Sequence, residues 1–246
     1  MCVLFGTDMP HAVARLRAER LARSQKPFLA RGALLVRCPR CRVAERYCLC
    51  AWQPQVEAHS GVCLLMADKE PLKPSNTGWL IADVVTDTHA FLWSRTEPDA
   101  ALLALLADPQ WQPWLVFLAE DAVAGQPVVH QLPPSAGAGS NGRRPLFVLL
   151  DGTWPEARKM YRKSPYLQQL PVFSLQPEQL SRYHLRTAGS PQQLSTAEVM
   201  VHCLQQAGDR LAAQALADWF ARFNRHYLAV KRPLTPAQEQ ALLSRP

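Results

Sequence analysis

The chain has 246 residues, 48% of them apolar, with seven cysteines and a formal charge of +7. That length and composition predict a mostly globular protein with a sizeable core. No apolar run approaches the roughly eighteen residues of a membrane span, and the N-terminus lacks the order of a secretory signal, so no membrane partner is expected and the expected location is the cytoplasm.

Charge is unevenly placed. Residues 1–46 carry ten Lys/Arg against Asp8, Glu19 and Glu45, whereas the remainder carries seventeen of each sign. A basic arm on a neutral body points to a polyanion, most simply nucleic acid. The alternative is a solvated helix with an Arg-rich face. The pattern predicts that helix over 12–25, with Arg15, Arg17, Arg20 and Arg23 on or near it and Pro27 ending it.

"CPRCRVAERYCLC" follows, with Cys38, Cys41, Cys48 and Cys50 in a C-x2-C-x6-C-x-C pattern. Two close thiolate pairs on tight turns can surround one tetrahedral Zn²⁺. An iron–sulfur cluster uses the same ligands. Disulfides suit neither a cytosolic chain nor such short loops. A closed four-thiolate site is structural, so any chemistry lies elsewhere. Cys2, Cys63 and Cys203 read as ordinary free thiols, Cys63 within a strand.

Downstream, "GVCLLM" (61–66) reads as a buried strand and "SNTGWLIADVV" (75–85) as a helix capped by Ser75 or Asn76. A strand at 89–93, a helix at 98–107 with Pro98 in its first turn, and strands at 114–119 and 146–150 come next. Residues 124–145, rich in Gly, Pro and Ser, read as a long mobile insertion. A helix then runs to about Lys163, followed by a short strand near 172–175. "STAE" (195–198) is a capping box opening a helix to about Ala207. A second helix, from Asp209 to about Val230, has Leu211, Leu216, Trp219, Phe220 and Phe223 on its apolar face, and "TPAQ" (235–238) opens a last one. This alternation predicts an α/β fold with a largely parallel sheet and helices on both faces.

The stretch "FVLLDGTWPEARKM" (147–160) ends a buried strand in a carboxylate. In open α/β sheets, ligands bind beyond the carboxyl ends of strands. Asp151 stands at such an end. Gly152 permits close approach. Thr153 with Glu156 can cap the next helix and leave its N–H groups for a ligand. Trp154 offers a flat face to a base, and Arg158, Lys159, Arg162 and Lys163 follow where a phosphate backbone can dock. A plain strand–turn–helix junction with a buried Trp is the bland reading. Two further polar segments precede helices: "EPLKPSNTGWL" (70–80), with Glu70, Lys73, Ser75, Asn76 and Thr77, and "SRYHLR…LSTAEV" (181–199), with Arg182, Tyr183, His184, Arg186, Ser195 and Thr196. In a doubly wound sheet these loops can converge.

The four-cysteine knuckle, "KPSNTG", the D-x-T-W tetrapeptide at 151–154, "SRYHLR" and "STAE" together resemble the DTW-domain family, and among it the bacterial tRNA-uridine aminocarboxypropyltransferases, from about residue 35 to about 230. The resemblance implies a SPOUT-like S-adenosylmethionine-binding fold whose C-terminal part is knotted. It implies two regions, a basic arm with zinc knuckle over 1–58 and a catalytic domain over 59–246. It also implies transfer of the 3-amino-3-carboxypropyl group of S-adenosylmethionine to N3 of a uridine in the tRNA variable loop, releasing 5′-methylthioadenosine. An RNA methyltransferase using the same donor, or a non-catalytic zinc-containing RNA-binding protein, are the alternatives.

On this reading Asp151, Thr153 and Trp154 serve catalysis, Asp151 as general base or orienter of N3. Ser75, Asn76, Thr77, Gly78, Gly152, Ser195, Thr196 and Glu198 hold the donor. Arg15, Arg17, Arg20, Arg23, Arg158, Lys159, Arg162, Lys163, Arg182 and Arg186 meet tRNA. Zn²⁺ is structural. Two positions depart from the family's pattern: Ala67 stands where a His is expected and Trp79 where an Arg is expected.

Overall fold

The run 61–66 has no polar alternation, which suits a strand covered on both faces. The computed structural model, which describes residues 10–26, 28, 34–133, 142–175, 194–231 and 234–244, makes it strand β1 (Gly61–Met66), buried at every position. The other strands are β2 (Thr88–Leu92), β3 (Trp111–Val116), β4 (Val128–Val129), β5 (Arg144–Asp151) and β6 (Val172–Phe173), in the order β2-β1-β5-β3-β6-β4. Every pairing between these strands is parallel.

The helices are α1 (Ala12–Ala22), α2 (Gly78–Val84), α3 (Ala100–Ala107), α4 (Trp154–Arg162), α5 (Thr196–Gln206), α6 (Arg210–Leu228) and α7 (Pro236–Leu243). Alternate strand residues point to opposite faces. Val62, Leu64, Met66, Phe147, Leu149 and Phe173 pack with α1, α2, α5 and α6. Cys63, Leu65, Leu146, Val148, Leu115 and Val172 pack with Leu102 and Leu105 of α3 and Ala157 and Tyr161 of α4. Each fully buried Leu or Phe contributes roughly 1.5–3 kcal/mol. The expected α/β fold, with helices on both faces of a parallel sheet, therefore holds.

The strand order places the site. After β1 the chain crosses by α2 on one face to β2. After β5 it crosses by α4 on the opposite face, past β3, to β6. The carboxyl ends of β1 and β5 are neighbours, with Met66 opposite Asp151. The two exits diverge there, which opens the crevice that ligands use in such sheets.

Several boundaries differ from the sequence reading. Pro98 lies outside its helix, because Asp99 is the cap and accepts the Ala101 N–H at 2.8 Å. Strand β3 starts at Trp111, its polar Gln112 and its Pro113 having masked the pattern. Residues 124–145 are not all loop. Val128 and Val129 pair with Val172 and Phe173, and the Gln126 amide donates to the Leu167 and Leu170 carbonyls at 3.2 and 2.7 Å. Leu211 is 81% exposed, since it sits five residues, or about 140° around the helix, before Leu216.

The cysteine turn packs into the main core. Cys38, Cys41, Val43 and Leu49 share one apolar cluster with α2 and α6, and a His226 ring nitrogen meets the Tyr47 carbonyl at 2.8 Å. The path on which a C-terminal knot depends includes residues 176–193, which lie outside the described residues.

Candidate active site

Three segments separated widely in sequence meet at the β1/β5 crevice. The first is the loop after β1, residues 67–77. Its Glu70–Leu72 turn is buried, and Asn76 is only 4% exposed. The N-cap of α2 is Thr77, which makes no side-chain capping bond, rather than Ser75 or Asn76; the side-chain carbonyl of Asn76, one residue earlier, accepts the Trp79 N–H at 3.0 Å. Ser75 is exposed. The second segment is the turn after β5. The third is the N-terminus of α5, where Ser195 and Glu198 form the expected capping box.

Asp151 joins all three. One carboxylate oxygen accepts the Asn76 amide N–H at 2.6 Å, and the other accepts the Thr196 hydroxyl at 2.6 Å. Its backbone carbonyl accepts the Ala67 N–H at 2.9 Å. The Thr77 hydroxyl accepts the Ala197 N–H at 3.4 Å, a second tie between loop and α5. The Asp151 side chain points to the α2/α5 face and is nearly inaccessible, at 3% exposure. Burial raises its pKa above the ordinary carboxylate value, the Thr196 and Asn76 hydrogen bonds oppose that, and nearby Glu70 adds to the rise. Gly78 is required by this packing. A Cβ there would stand 2.8 Å from a carboxylate oxygen of Asp151, a distance that real contacts do not show.

Glu70 and Lys73, from the same polar segment, belong to this cluster. Glu70 is buried, is ion-paired with Lys73 and lies 3.4 Å from the Asn76 amide nitrogen. Asn76 thus bridges two carboxylates, and Lys73 supplies the neighbouring positive charge.

On the other side of the turn, Gly152 lets the chain pass close to Ala67 and Glu156, where a Cβ would meet their Cβ atoms at 3.3 and 3.2 Å. Thr153 donates its N–H and hydroxyl to Glu156 at 2.8 and 2.6 Å, closing the capping box of α4. Trp154 is 40% exposed, so it is not the buried tryptophan of the bland reading. Its ring lies 5.7 Å from Phe117 and 5.5 Å beneath the Arg158 guanidinium.

The basic residues divide into two groups. On α4, Lys159, Arg162 and Lys163 are exposed, and Lys159 lies 5.8 Å over the Trp93 ring. Arg158 is held by Asp121 at 2.9 Å. On α1, Arg23 and Arg15 face outward. Arg20 grips Asp68 with two nitrogens at 2.6 and 2.7 Å. Arg17 is half-buried with one guanidinium nitrogen lacking a partner. Arg182 and Arg186, with Tyr183 and His184, lie outside the described residues.

The four knuckle sulfurs lie within 4.8 Å of one another. Three of the separations are 3.5 Å (Cys38–Cys50), 3.6 Å (Cys38–Cys48) and 3.8 Å (Cys41–Cys48). A tetrahedron with metal–sulfur bonds of about 2.3 Å has edges of about 3.8 Å, so the set fits one metal ion. A disulfide needs about 2.05 Å. Hydrogen bonds from Cys41 and Cys50 push the Cys38 thiol down, whereas Cys41 and Cys50 are pushed up by the shared sulfur hydrogen bonds and burial, and Cys48 by burial, so it is the sulfur geometry that supports a metal site. Burial pushes Cys63 up to about 12 and raises Cys203 as well, which suits inert core thiols. Cys2 lies outside the described residues.

Arg42, between knuckle ligands, was not singled out from sequence. It is 4% exposed and lies 4.2 Å over the Trp79 ring, at one of the two departures noted above. Ala67, the other, is buried against the turn at Gly152.

No helix among the described residues is long and apolar enough to cross a membrane. The DTW domain matches residues 35–228. Over 105 residues the chain is 33% identical to tRNA-uridine aminocarboxypropyltransferase 2 of Drosophila melanogaster, a stretch covering 43% of this chain and 37% of the relative. The chain thus aligns to well under two thirds of that relative's length. No solved structure matches. With the knuckle, the β1 loop, the Asp151 turn and the α5 cap all inside the matched span, the chain belongs to the DTW domain family.

Proposed function

We propose that this protein transfers the 3-amino-3-carboxypropyl group of S-adenosylmethionine to N3 of a uridine in the variable loop of tRNA. The observation that carries this reading is the junction at Asp151, where three loops are locked together at the sheet's switch point beside an exposed tryptophan. Family membership and the name of the fly relative agree with it.

The reaction needs little covalent help. The N3 proton passes to solvent water, the nitrogen lone pair attacks the methylene carbon next to sulfur, and that C–S bond breaks. Its electrons return to the sulfonium, which departs as neutral 5′-methylthioadenosine. The enzyme's task is to choose which sulfonium-linked carbon faces N3, and that is a matter of positioning. Both Asp151 oxygens already accept hydrogen bonds inside the protein. Asp151 therefore acts as orienter rather than as a free base, holding Asn76 and Thr196 in place. The segments 75–78, Gly152 and 195–198, including Ser75, Thr77, Gly78, Ser195 and Glu198, supply donor contacts. Thr153 sets the start of α4, and Trp154 offers its open face to the target base, with Lys159, Arg162 and Lys163 on the adjoining phosphates. Zn²⁺ in the knuckle is structural, its four thiolates leaving no open position.

Incubating the protein with S-adenosylmethionine and unmodified tRNA tests this. Nucleoside mass spectrometry should show aminocarboxypropyl-uridine, with methylthioadenosine released in equal amount. Release of S-adenosylhomocysteine would instead make it a methyltransferase, and tRNA binding without donor binding would make it a non-catalytic protein.

A further inference from the structure

Arg42 is a buried charge that the proposed chemistry does not use. Its backbone has φ 62°, the sole positive value outside glycine among the described residues. Such a conformation is strained for an L-residue, and glycine is its usual occupant. The turn that imposes it is closed by the knuckle itself. The Arg42 N–H donates to the Cys38 carbonyl and the Cys38 N–H to the Val43 carbonyl, both at 2.9 Å.

The side chain leaves this turn for the loop after β1. One guanidinium nitrogen donates to the Lys73 carbonyl at 3.2 Å and the other to the Asn76 carbonyl at 3.0 Å. The plane is held over Trp79 at 4.2 Å and within 5.7 Å of Phe223. Its Nε has no acceptor. The two carbonyl bonds and the rings are therefore what compensates this buried charge, and Asp83 is a further compensating charge in reach.

Those two carbonyls bracket the short turn that presents Asn76. The Asn76 side chain does three things: it donates to Asp151, approaches Glu70 and accepts the Trp79 N–H in the first turn of α2. All three need the backbone at 73–76 to stay where it is. Within the loop, local bonds hold it: the Lys73 N–H donates to the Glu70 carbonyl and the Asn76 N–H to the Lys73 carbonyl, both at 3.1 Å. From outside it, Arg42 supplies two charge-assisted bonds in a planar fork, which a lysine cannot reproduce.

We propose that Arg42 is a positioning residue of the site. The cysteine turn fixes its guanidinium, the guanidinium fixes the 73–76 backbone, and Asn76 is thereby held against Asp151. The cysteine knuckle thereby bears on the site through this side chain. The activity consequence rests on the transferase reading; the structural one does not.

The test uses full-length Arg42→Gly, Arg42→Met and Arg42→Lys. Glycine relieves the backbone strain, which favours folding of that variant, and leaves a guanidinium-sized gap. Expected in Arg42→Gly are unchanged metal content and amide exchange at Asn76 and Trp79 faster by about tenfold or more, with β1 amides unchanged. That corresponds to the loss of one to two charge-assisted bonds. Turnover should fall about ten- to a hundredfold with KM for tRNA unchanged. Millimolar n-propylguanidinium should slow the exchange and restore turnover in Arg42→Gly. Arg42→Met and Arg42→Lys should show the same faster exchange, and Arg42→Lys should not recover turnover. Unchanged exchange at 76–79, exchange rising equally through β1, or wild-type turnover despite faster exchange would each overturn the proposal. Faster local exchange in a protein whose wild type forms no aminocarboxypropyl-uridine would sink the transferase reading and leave Arg42's hold on the loop standing.

Discussion

Replacing Asp151 by Asn separates what the carboxylate contributes to the site from what it does to stability. The Asn76 amide cannot turn over, because its carbonyl accepts the Trp79 N–H in the first turn of α2. In Asp151→Asn the introduced amide must therefore aim its own carbonyl at Asn76 and its NH₂ at Thr196, whose hydroxyl turns from donor to acceptor. Two bonds survive, but they become neutral. Charge-assisted bonds contribute about 1.5–3 kcal/mol and neutral ones about 0.5–1.5, so roughly 1 kcal/mol is lost at each. Against this stands the buried charge. Burial, opposed by Thr196 and Asn76, raises the folded-state pKa of Asp151 above its unfolded value of 3.8. The folded protein thus holds this proton more tightly than the unfolded chain does. The charged carboxylate lowers stability, by an amount that is absent below the unfolded pKa and grows as pH rises through the folded one. Asp151→Asn should consequently gain melting temperature relative to wild type on going from about pH 4 to about pH 8. Turnover should drop by about 10²-fold or more at saturating donor, since Asn76 and Thr196 are held less tightly. Differential scanning calorimetry across pH and single-turnover nucleoside analysis read the two effects. Wild-type turnover, or a variant that loses stability relative to wild type as pH rises, would refute the reasoning.

Gly78→Ala places a Cβ 2.8 Å from the Asp151 carboxylate; overpacking of this kind costs about 1–3 kcal/mol, and both melting temperature and donor affinity, by thermal shift and calorimetric titration, should fall. Elemental analysis of protein purified under reducing conditions should find one Zn²⁺ per chain, and Cys41→Ser should lose the metal and much solubility; iron, or no metal, would contradict the assignment. The Lys159→Ala, Arg162→Ala, Lys163→Ala triple variant should weaken tRNA binding and flatten its salt dependence by about 0.7–0.9 in log–log slope for each phosphate no longer neutralised. Arg15→Ala with Arg23→Ala should flatten it too if α1 meets phosphates, whereas Arg20→Ala, which breaks the Asp68 pair, should chiefly loosen α1; filter binding across salt concentrations decides.

The sequence by itself determined whatever rests on neighbours along the chain. The run 61–66 needed only its unbroken apolarity to be read as a doubly buried strand, and "STAE" only a four-residue spacing to be read as a capping box. The four cysteines closed on one another because two short turns leave them little else to do. The elements misjudged were those whose local signal is weak or mixed. A two-residue strand at Val128–Val129 has no periodicity to show and exists because β6 offers it a partner. Trp111 and Pro113 entered β3 because β5 pairs with them.

Only the tertiary structure decided what the polar groups do. Asp151 meets Asn76 across 75 residues and Thr196 across 45, and nothing in either neighbourhood records the pairing. Arg20, counted among free cations by charge alone, is taken up by Asp68, 48 residues away. Arg42 read as one more arginine in a basic arm, yet it is buried and bonded to carbonyls 31 and 34 residues further on. Periodicity and capping are short-range physics, set by backbone geometry within a turn or two. The partner of a buried charge is set by which surfaces the sheet order brings together, and it becomes visible only when the chain has closed on itself.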